Sequence, residues 1–145
     1  MYVRHSTRIP VPVKACEAVL VDAVMAVAGD RPSVGFGVGP ASVRKRVELV
    51  TGPAERLGDW LRIPVSWKAS PGQAFFPVLD GYLQLESVTL RESRLALRAD
   101  YQPPLGRLGQ AIDAVALHAV VDATVRDFVE AVSSRVQLGA LVVAG

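Results

Sequence analysis

Hydrophobic and polar residues alternate along five segments between residues 2 and 101, a period that predicts strands with one apolar face. The clearest strand covers residues 61–69, and its apolar face consists of Leu61, Ile63, Val65, Trp67 and Ala69. Pro64 lies on the polar face of this strand and predicts a sheet edge or a bulge. The same period predicts strands over residues 2–9, 43–51, 75–90 and 94–101. Such strands are typical of an antiparallel sheet with one face in water.

Two segments follow the helical period instead. Residues 13–28 come after Pro12 and end before a glycine and a proline, which are common start and stop signals of a helix. Residues 105–136 follow two further prolines and predict a longer helix. Its predicted apolar face contains Leu117, Val120, Val121, Thr124, Phe128, Ala131 and Val132. Its opposite, polar stripe contains His118, Asp122, Arg126 and Glu130.

A single domain is expected over residues 1–137, followed by an apolar C-terminal tail over residues 138–145, because 145 residues is a common size for one domain. Residues 33–42 are rich in glycine, but the glycines occupy every second position and no lysine accompanies them. A phosphate-binding loop requires that lysine between a strand and a helix. We therefore predict a flexible strand or loop over residues 33–42.

The composition narrows the class of partner. Hydrophobic residues make up 50% of the chain, and the mean hydropathy is +0.30, so either the core is large or apolar surface is kept for a ligand. The net charge of +2 argues against nucleic-acid binding. A single cysteine, Cys16, excludes an intrachain disulfide, and no uncharged apolar run reaches 18 residues. We expect a soluble, cytoplasmic protein without a membrane span.

The predicted order of elements is a strand, a helix, a run of antiparallel strands and one long helix. Short motifs accompany it: IPVSWKA at residues 63–69, FPVLD at 76–80, YQPPLG at 101–106, and Asp113 followed by ATVRDF at 123–128. Order and motifs resemble the START/polyketide-cyclase-like (SRPBCC) superfamily, and within it a subgroup of small actinobacterial proteins. The resemblance implies an α+β helix-grip fold, a curled antiparallel sheet wrapped around the long C-terminal helix, with a cavity between them in many members.

If that cavity exists, aromatic side chains and the apolar face of the long helix should form its wall. The predicted ligand-binding residues are Trp67, Tyr101, Leu117, Val120, Thr124 and Phe128, with Thr124 as a polar contact. The expected ligand is a small hydrophobic or amphiphilic molecule, lipid-like or polyketide-like.

Two residues are candidates for acid–base chemistry. Asp113 lies beside the apolar face of the long helix, where a carboxyl group holds its proton more tightly than in water. We favour the alternative that Asp113 bonds to backbone near Pro103 and fixes the start of the helix. His5 lies on the apolar face of the first strand, but no orienting partner is visible, and a core histidine is the simpler interpretation.

Three functions stay open on the sequence alone. Two histidines and one cysteine, dispersed along the chain, do not form a metal site, and no motif calls for a cofactor. We therefore favour a ligand-binding protein over an enzyme. The second alternative is a polyketide cyclase/dehydratase-like enzyme that uses Asp113 or His5. The third is a protein with a packed core that forms a homodimer through an apolar surface, including residues 138–144.

Overall fold

The structure, a computed structural model, describes residues 2–29, 33–36, 43–69, 78–102 and 114–144. Its elements in chain order are β1 (Tyr2–Ile9), α1 (Val13–Gly29), β2 (Ser33–Phe36), β3 (Val43–Thr51), β4 (Glu55–Leu57), β5 (Trp60–Ala69), β6 (Val78–Thr89), β7 (Glu92–Gln102) and α2 (Ala114–Ala144). Every strand pairing is antiparallel. The predicted α+β class, with a curled antiparallel sheet and a long C-terminal helix, is confirmed.

The strands lie in the order β1-β7-β6-β5-β3-β2, and β4 pairs with the first residues of β5 beside β3. Strands β3 and β4 thus both pair with β5, and residues 52–54 separate them along the chain. At this interruption the Gly52 N–H donates to the Pro64 carbonyl at 2.9 Å. Pro64 has no N–H to return a second bond, so it is tolerated where the ladder breaks.

Four cross-strand rows of side chains line the concave face of the sheet. We call the first the Trp67 row, and its members are Leu49, Trp67, Leu79 and Tyr101. The other three rows are Val65, Gly81, Ala99 and Val3; Ile63, Leu83, Leu97 and His5; and Leu61, Leu85, Leu95 and Thr7. Most of these side chains are buried, as the period of two predicts.

Helix α1 runs from the start of β7 to the end of β3, where the Thr51 hydroxyl lies 3.7 Å from the Met25 sulfur. Its first half lies against the start of β7, where the Cys16 thiol is 3.6 Å from the Ser93 hydroxyl. The middle of α1 packs against the second half of α2, since a Cβ atom at Gly139 would lie only 3.2 Å from the Val19 Cβ. The first half of α2 contacts the Trp67 row through Phe128 and His118.

The end of α2 differs from the prediction. The helix continues to Ala144 rather than ending at Val136, so the described part of the predicted tail, through Ala144, forms its last two turns. Ala140 is buried in these turns. The predicted start at residue 105 lies outside the described residues. Exposed apolar side chains on these last turns are Leu138, Leu141 and Val142. A dimer surface there stays a prediction that sedimentation can test.

The buried face of α2 was only partly predicted. Val121, Thr124, Phe128 and Val132 are buried as expected, but Ala131 is exposed. The buried side chains that the periodicity missed are Val125, Val129, Ser133 and Val136. In the glycine-rich passage, Ser33–Phe36 form β2 and pair with β3, and residues 37–42 lie outside the described residues. The short strand β4 was not predicted.

Candidate ligand-binding site

Trp67 and Phe128 join the sheet to the long helix. Trp67 points inward from β5 because it alternates with the polar face of that strand, and Phe128 lies on the buried face of α2. Their rings meet edge to face, with centroids 5.5 Å apart and planes inclined at 70°. Such pairs contribute about 0.5–1.5 kcal/mol beyond the burial of their area. The contact fixes the distance between α2 and the Trp67 row.

Tyr101 and His118 form a second link between the same two elements. The Tyr101 hydroxyl shares a hydrogen bond of 2.7 Å with the Nδ1 atom of His118. The Tyr101 side chain is 1% exposed at the end of β7, whereas His118 is exposed on the first turns of α2. Burial raises the pKa of Tyr101 above its usual 10.0, so the phenol stays protonated at neutral pH and keeps its donor.

The Trp67 side chain also carries a polar group into this wall. It is 1% exposed, and within the described part of the chain no acceptor bonds to its indole N–H. A buried donor without a partner costs about 1–3 kcal/mol, so water or a ligand is expected to satisfy it. Tyr101 and Trp67 flank Leu79 on neighbouring strands, which places the two polar groups on one row.

The remaining predicted wall residues lie on α2. Val120 is half-buried against the core, and Thr124 is buried one turn later. The Thr124 hydroxyl donates to the Val120 carbonyl at 2.7 Å, so its proton is already engaged within the helix. Leu117 belongs to α2, but its side chain lies outside the described residues, as does Asp113 altogether.

His5 is held away from these residues. Its Nε2 atom lies 3.2 Å from a carboxylate oxygen of Glu130, and the imidazole is 25% exposed. His5 pairs with Leu97 on β7, four residues before Tyr101, which is about 13 Å along the strand. The pair links β1 to α2 at the edge of the sheet. Glu130, a residue of the predicted polar stripe of α2, is therefore the partner of His5 that the sequence alone did not reveal.

A separate, open depression of about 280 Å³ lies on the other face of the sheet. Its lining side chains are mostly exposed and come from β1, β6 and β7. None of the predicted ligand-binding residues contributes to it. Among the described residues, no three histidine, cysteine or carboxylate side chains lie together as a metal site would require. Neither described helix has the length and hydrophobicity needed to cross a membrane.

His118 is the site residue that the sequence prediction missed. It was assigned to the polar stripe of α2, and it is indeed exposed. It also lies three residues before the buried Val121, at the border between the two faces of the helix. Its position at that border was the one sequence signal that His118 could contact the sheet. No local sequence pattern identifies Tyr101 as the partner of His118.

Comparisons with known proteins bear on the architecture. No family model matches the chain, and no curated protein sequence does so. Among solved structures, a conserved protein from Geobacillus kaustophilus has a TM-score of 0.60 at 15% identity, covering 94% of this chain and 95% of its own. The ZhuI aromatase/cyclase from Streptomyces sp. R1128 has a TM-score of 0.54 at 13% identity, covering 100% and 96%. Ara h 8.0201 has a TM-score of 0.55 at 16% identity, covering 94% and 97%.

The chain has the helix-grip fold. At these identities the likeness establishes the fold alone. Two described contacts join the Trp67 row to α2: the ring contact of Trp67 with Phe128 and the hydrogen bond between Tyr101 and His118. Leu79 lies between Trp67 and Tyr101 on this row and is 1% exposed.

Proposed function

We propose that the chain binds a small hydrophobic or amphiphilic molecule, lipid-like or polyketide-like, between the Trp67 row and the first half of α2. The observation that carries this proposal is an apolar wall with one polar pair, Tyr101 and His118, at its end. Among the described residues, α1 packs against the second half of α2 at Gly139, whereas the first half contacts the sheet through Phe128 and His118. A gap can therefore open there with less loss of core packing.

The likeness to an aromatase/cyclase supports a polyketide-like ligand for this chain. Membership of the actinobacterial subgroup is part of the same proposal and is based on the sequence motifs. Glu130 supplies His5 with an orienting partner, but His5 pairs with Leu97, four residues before Tyr101 on β7, so it does not reach the Trp67 row. We therefore propose binding rather than turnover.

Thermal unfolding with a panel of medium-chain fatty acids and bicyclic aromatic molecules tests the proposal. A ligand present at a hundred times its Kd stabilises the folded state by about 2.7 kcal/mol, which raises the Tm of a domain of this size by roughly 5–10 °C. A substitution that fills the proposed gap should abolish the ligand-induced rise in Tm. The variant Val120→Trp projects a large ring into the proposed gap from the half-buried position.

Ala119→Trp is the matched control, because Ala119 is the residue before Val120 on α2 and is exposed. It adds the same side chain without entering the gap. We expect Ala119→Trp to keep the ligand-induced shift and Val120→Trp to lose it, while both retain the far-UV spectrum of the wild type. The proposed function is contradicted if no ligand of the panel raises the Tm of the wild type or of Ala119→Trp. It is also contradicted if a ligand raises the Tm of Val120→Trp as much as that of the wild type.

A further inference from the structure

The open depression on the outer face of the sheet offers a second place for a small molecule. Its volume of about 280 Å³ is just below the range of about 300–1,000 Å³ that is typical of sites for drug-sized molecules. It therefore suits a ligand of about a dozen non-hydrogen atoms. Gly81 and Ala99 also line it, and because the Ala99 side chain is buried on the concave face, they contribute backbone to its floor.

Two neighbouring cross-strand rows supply the polar groups of the depression. Asp80 and Asp100 lie directly opposite each other on β6 and β7, and Tyr2 lies beside Asp100 on β1. The next row pairs Tyr82 with Arg98. It lies two residues away, which is about 7 Å along the strands. Two carboxylates on one row therefore stand next to a guanidinium on the other.

These three charged groups do not satisfy one another. No nitrogen atom of Arg98 lies within 4.0 Å of a carboxylate oxygen of Asp80 or Asp100. Within the described part of the chain, none of the three side chains takes part in a hydrogen bond or an ion pair. Like charges directly opposite on neighbouring strands are unfavourable, so the two carboxylates gain from a cation between them. The guanidinium gains from a planar anion. A ligand that carries both charges close together serves both rows.

Two tyrosine rings stand at opposite corners of the depression. Tyr2 is 55% exposed on β1, and Tyr82 is 40% exposed on β6. The guanidinium carbon of Arg62 lies 4.3 Å from the centroid of the Tyr82 ring, a stacking contact that restrains this ring. The exposed parts of the two rings offer contact to an aromatic side chain of a ligand.

We propose that the depression binds a free aromatic amino acid. Its ammonium group lies between Asp80 and Asp100, its carboxylate accepts hydrogen bonds from Arg98, and its ring contacts a tyrosine. The two charged groups of an α-amino acid are attached to one carbon atom, so the ligand bridges the space between the guanidinium and the carboxylates. This site does not depend on the proposed function, because its charged groups lie on the face of the sheet opposite to the Trp67 row.

Titration of the isotope-labelled protein with L-phenylalanine, followed by amide NMR spectra at neutral pH, tests the proposal. Binding should shift the backbone amide resonances of Gly81 and Ala99 saturably and leave the indole resonance of Trp67 in place. For a ligand of about a dozen non-hydrogen atoms in an open site we expect a Kd of about 1–5 mM. L-Alanine, which lacks the ring, should bind at least about fivefold more weakly.

Two probes each lack one charged group of the amino acid. 2-Phenylethylamine has no carboxylate, and 3-phenylpropanoate has no ammonium group. Both should bind at least about threefold more weakly than L-phenylalanine, because one exposed ion pair supplies about that factor. Arg98→Gln should weaken L-phenylalanine by about the same factor without weakening 2-phenylethylamine. Asp100→Asn should weaken L-phenylalanine without weakening 3-phenylpropanoate.

Arg4→Gln and Asp59→Asn are the matched controls, because both residues are exposed and lie outside the depression. Each should leave the Kd of L-phenylalanine unchanged. The proposal is overturned if the Gly81 and Ala99 resonances do not move at about 20 mM L-phenylalanine, well above the expected Kd. It is also overturned if 2-phenylethylamine or L-alanine binds as tightly as L-phenylalanine. A shift of the Trp67 indole resonance alone overturns it too, and places the amino acid between the sheet and α2 instead.

Discussion

Replacing Gly81 with alanine should destabilise the fold by more than about 3 kcal/mol. Gly81 lies opposite Ala99 where β6 and β7 approach each other on the concave face. An added Cβ atom would overlap the carbonyl oxygen of Arg98 and lie 2.6 Å from the Cα atom of Ala99. Both obstacles are backbone atoms of the neighbouring strand, so no side chain can rotate away, and the two strands must move apart.

The magnitude follows from two contributions. Extra atoms in a filled interior cost about 1–3 kcal/mol when side chains can still adjust, and here the obstruction is rigid. Separating β6 from β7 also lengthens ladder hydrogen bonds beside Gly81, each with a net value of about 0.5–1.5 kcal/mol. Together they reach about 3–5 kcal/mol, a large part of the 5–15 kcal/mol that stabilises a typical domain.

Urea denaturation followed by far-UV circular dichroism measures this loss. Gly58→Ala is the matched control: Gly58 is in the turn between β4 and β5 with φ of 60°, and no atom lies within 4 Å of an added Cβ. Its cost is the strain of a left-handed conformation, about 1–2 kcal/mol. If Gly81→Ala costs no more than Gly58→Ala, the strands do not approach as closely as described, and the curl that shapes the concave face is wrong.

Three further predictions concern the rest of the fold. Burial, with a smaller contribution from Glu17 and opposed by the Ser93 hydrogen bond, raises the pKa of the Cys16 thiol above 9.0. The folded pKa exceeds the unfolded one, so stability is full below the unfolded pKa and falls as pH rises towards the folded pKa, by at most about 1.4 kcal/mol per pH unit. Urea midpoints between pH 8 and 10 should show this slope in the wild type and a shallower one in Cys16→Ala. Glu130→Gln should change the free energy of unfolding by less than about 1 kcal/mol and leave ligand affinity unchanged, because its pair with His5 is partly exposed. Deleting residues 138–145 should cost at least about 1 kcal/mol by uncovering α1, and no loss of stability would mean that they form a detached tail.

The sheet could be predicted well from the sequence because its information is local. The alternation around Trp67 and Leu79 fixes which side chains face inward, whatever the register between strands. The break beside Pro64 was likewise indicated by a single residue, since proline lacks a backbone donor. The strand pairing in the structure defines the rows of side chains that cross the sheet, and the hydrophobic period of two does not reveal those rows.

The extent of α2 and the contacts of the candidate site were harder to predict, because they depend on residues that are distant in sequence. The helix was predicted to end at Val136, yet α2 continues through Gly139, whose small size lets α1 approach at Val19. Val129 is buried because the second half of α2 has α1 as well as the sheet beside it. The partners of His5 and Tyr101 are separated from them by 125 and 17 residues, and no local pattern encodes those pairs.

Contact between a bound ligand and Trp67 is the most direct test of the central claim. The chain has two tryptophans, and Trp60 is 41% exposed in the β4–β5 hairpin, so Trp60→Phe leaves emission from Trp67 alone. Titration with 11-bromoundecanoic acid, a heavy-atom quencher, should quench that emission saturably, and excess undecanoic acid should restore it. In Trp67→Phe, the emission of Trp60 should stay unchanged. Quenching of Trp60 without quenching of Trp67, or saturable binding that affects neither, would contradict a ligand site between the sheet and α2.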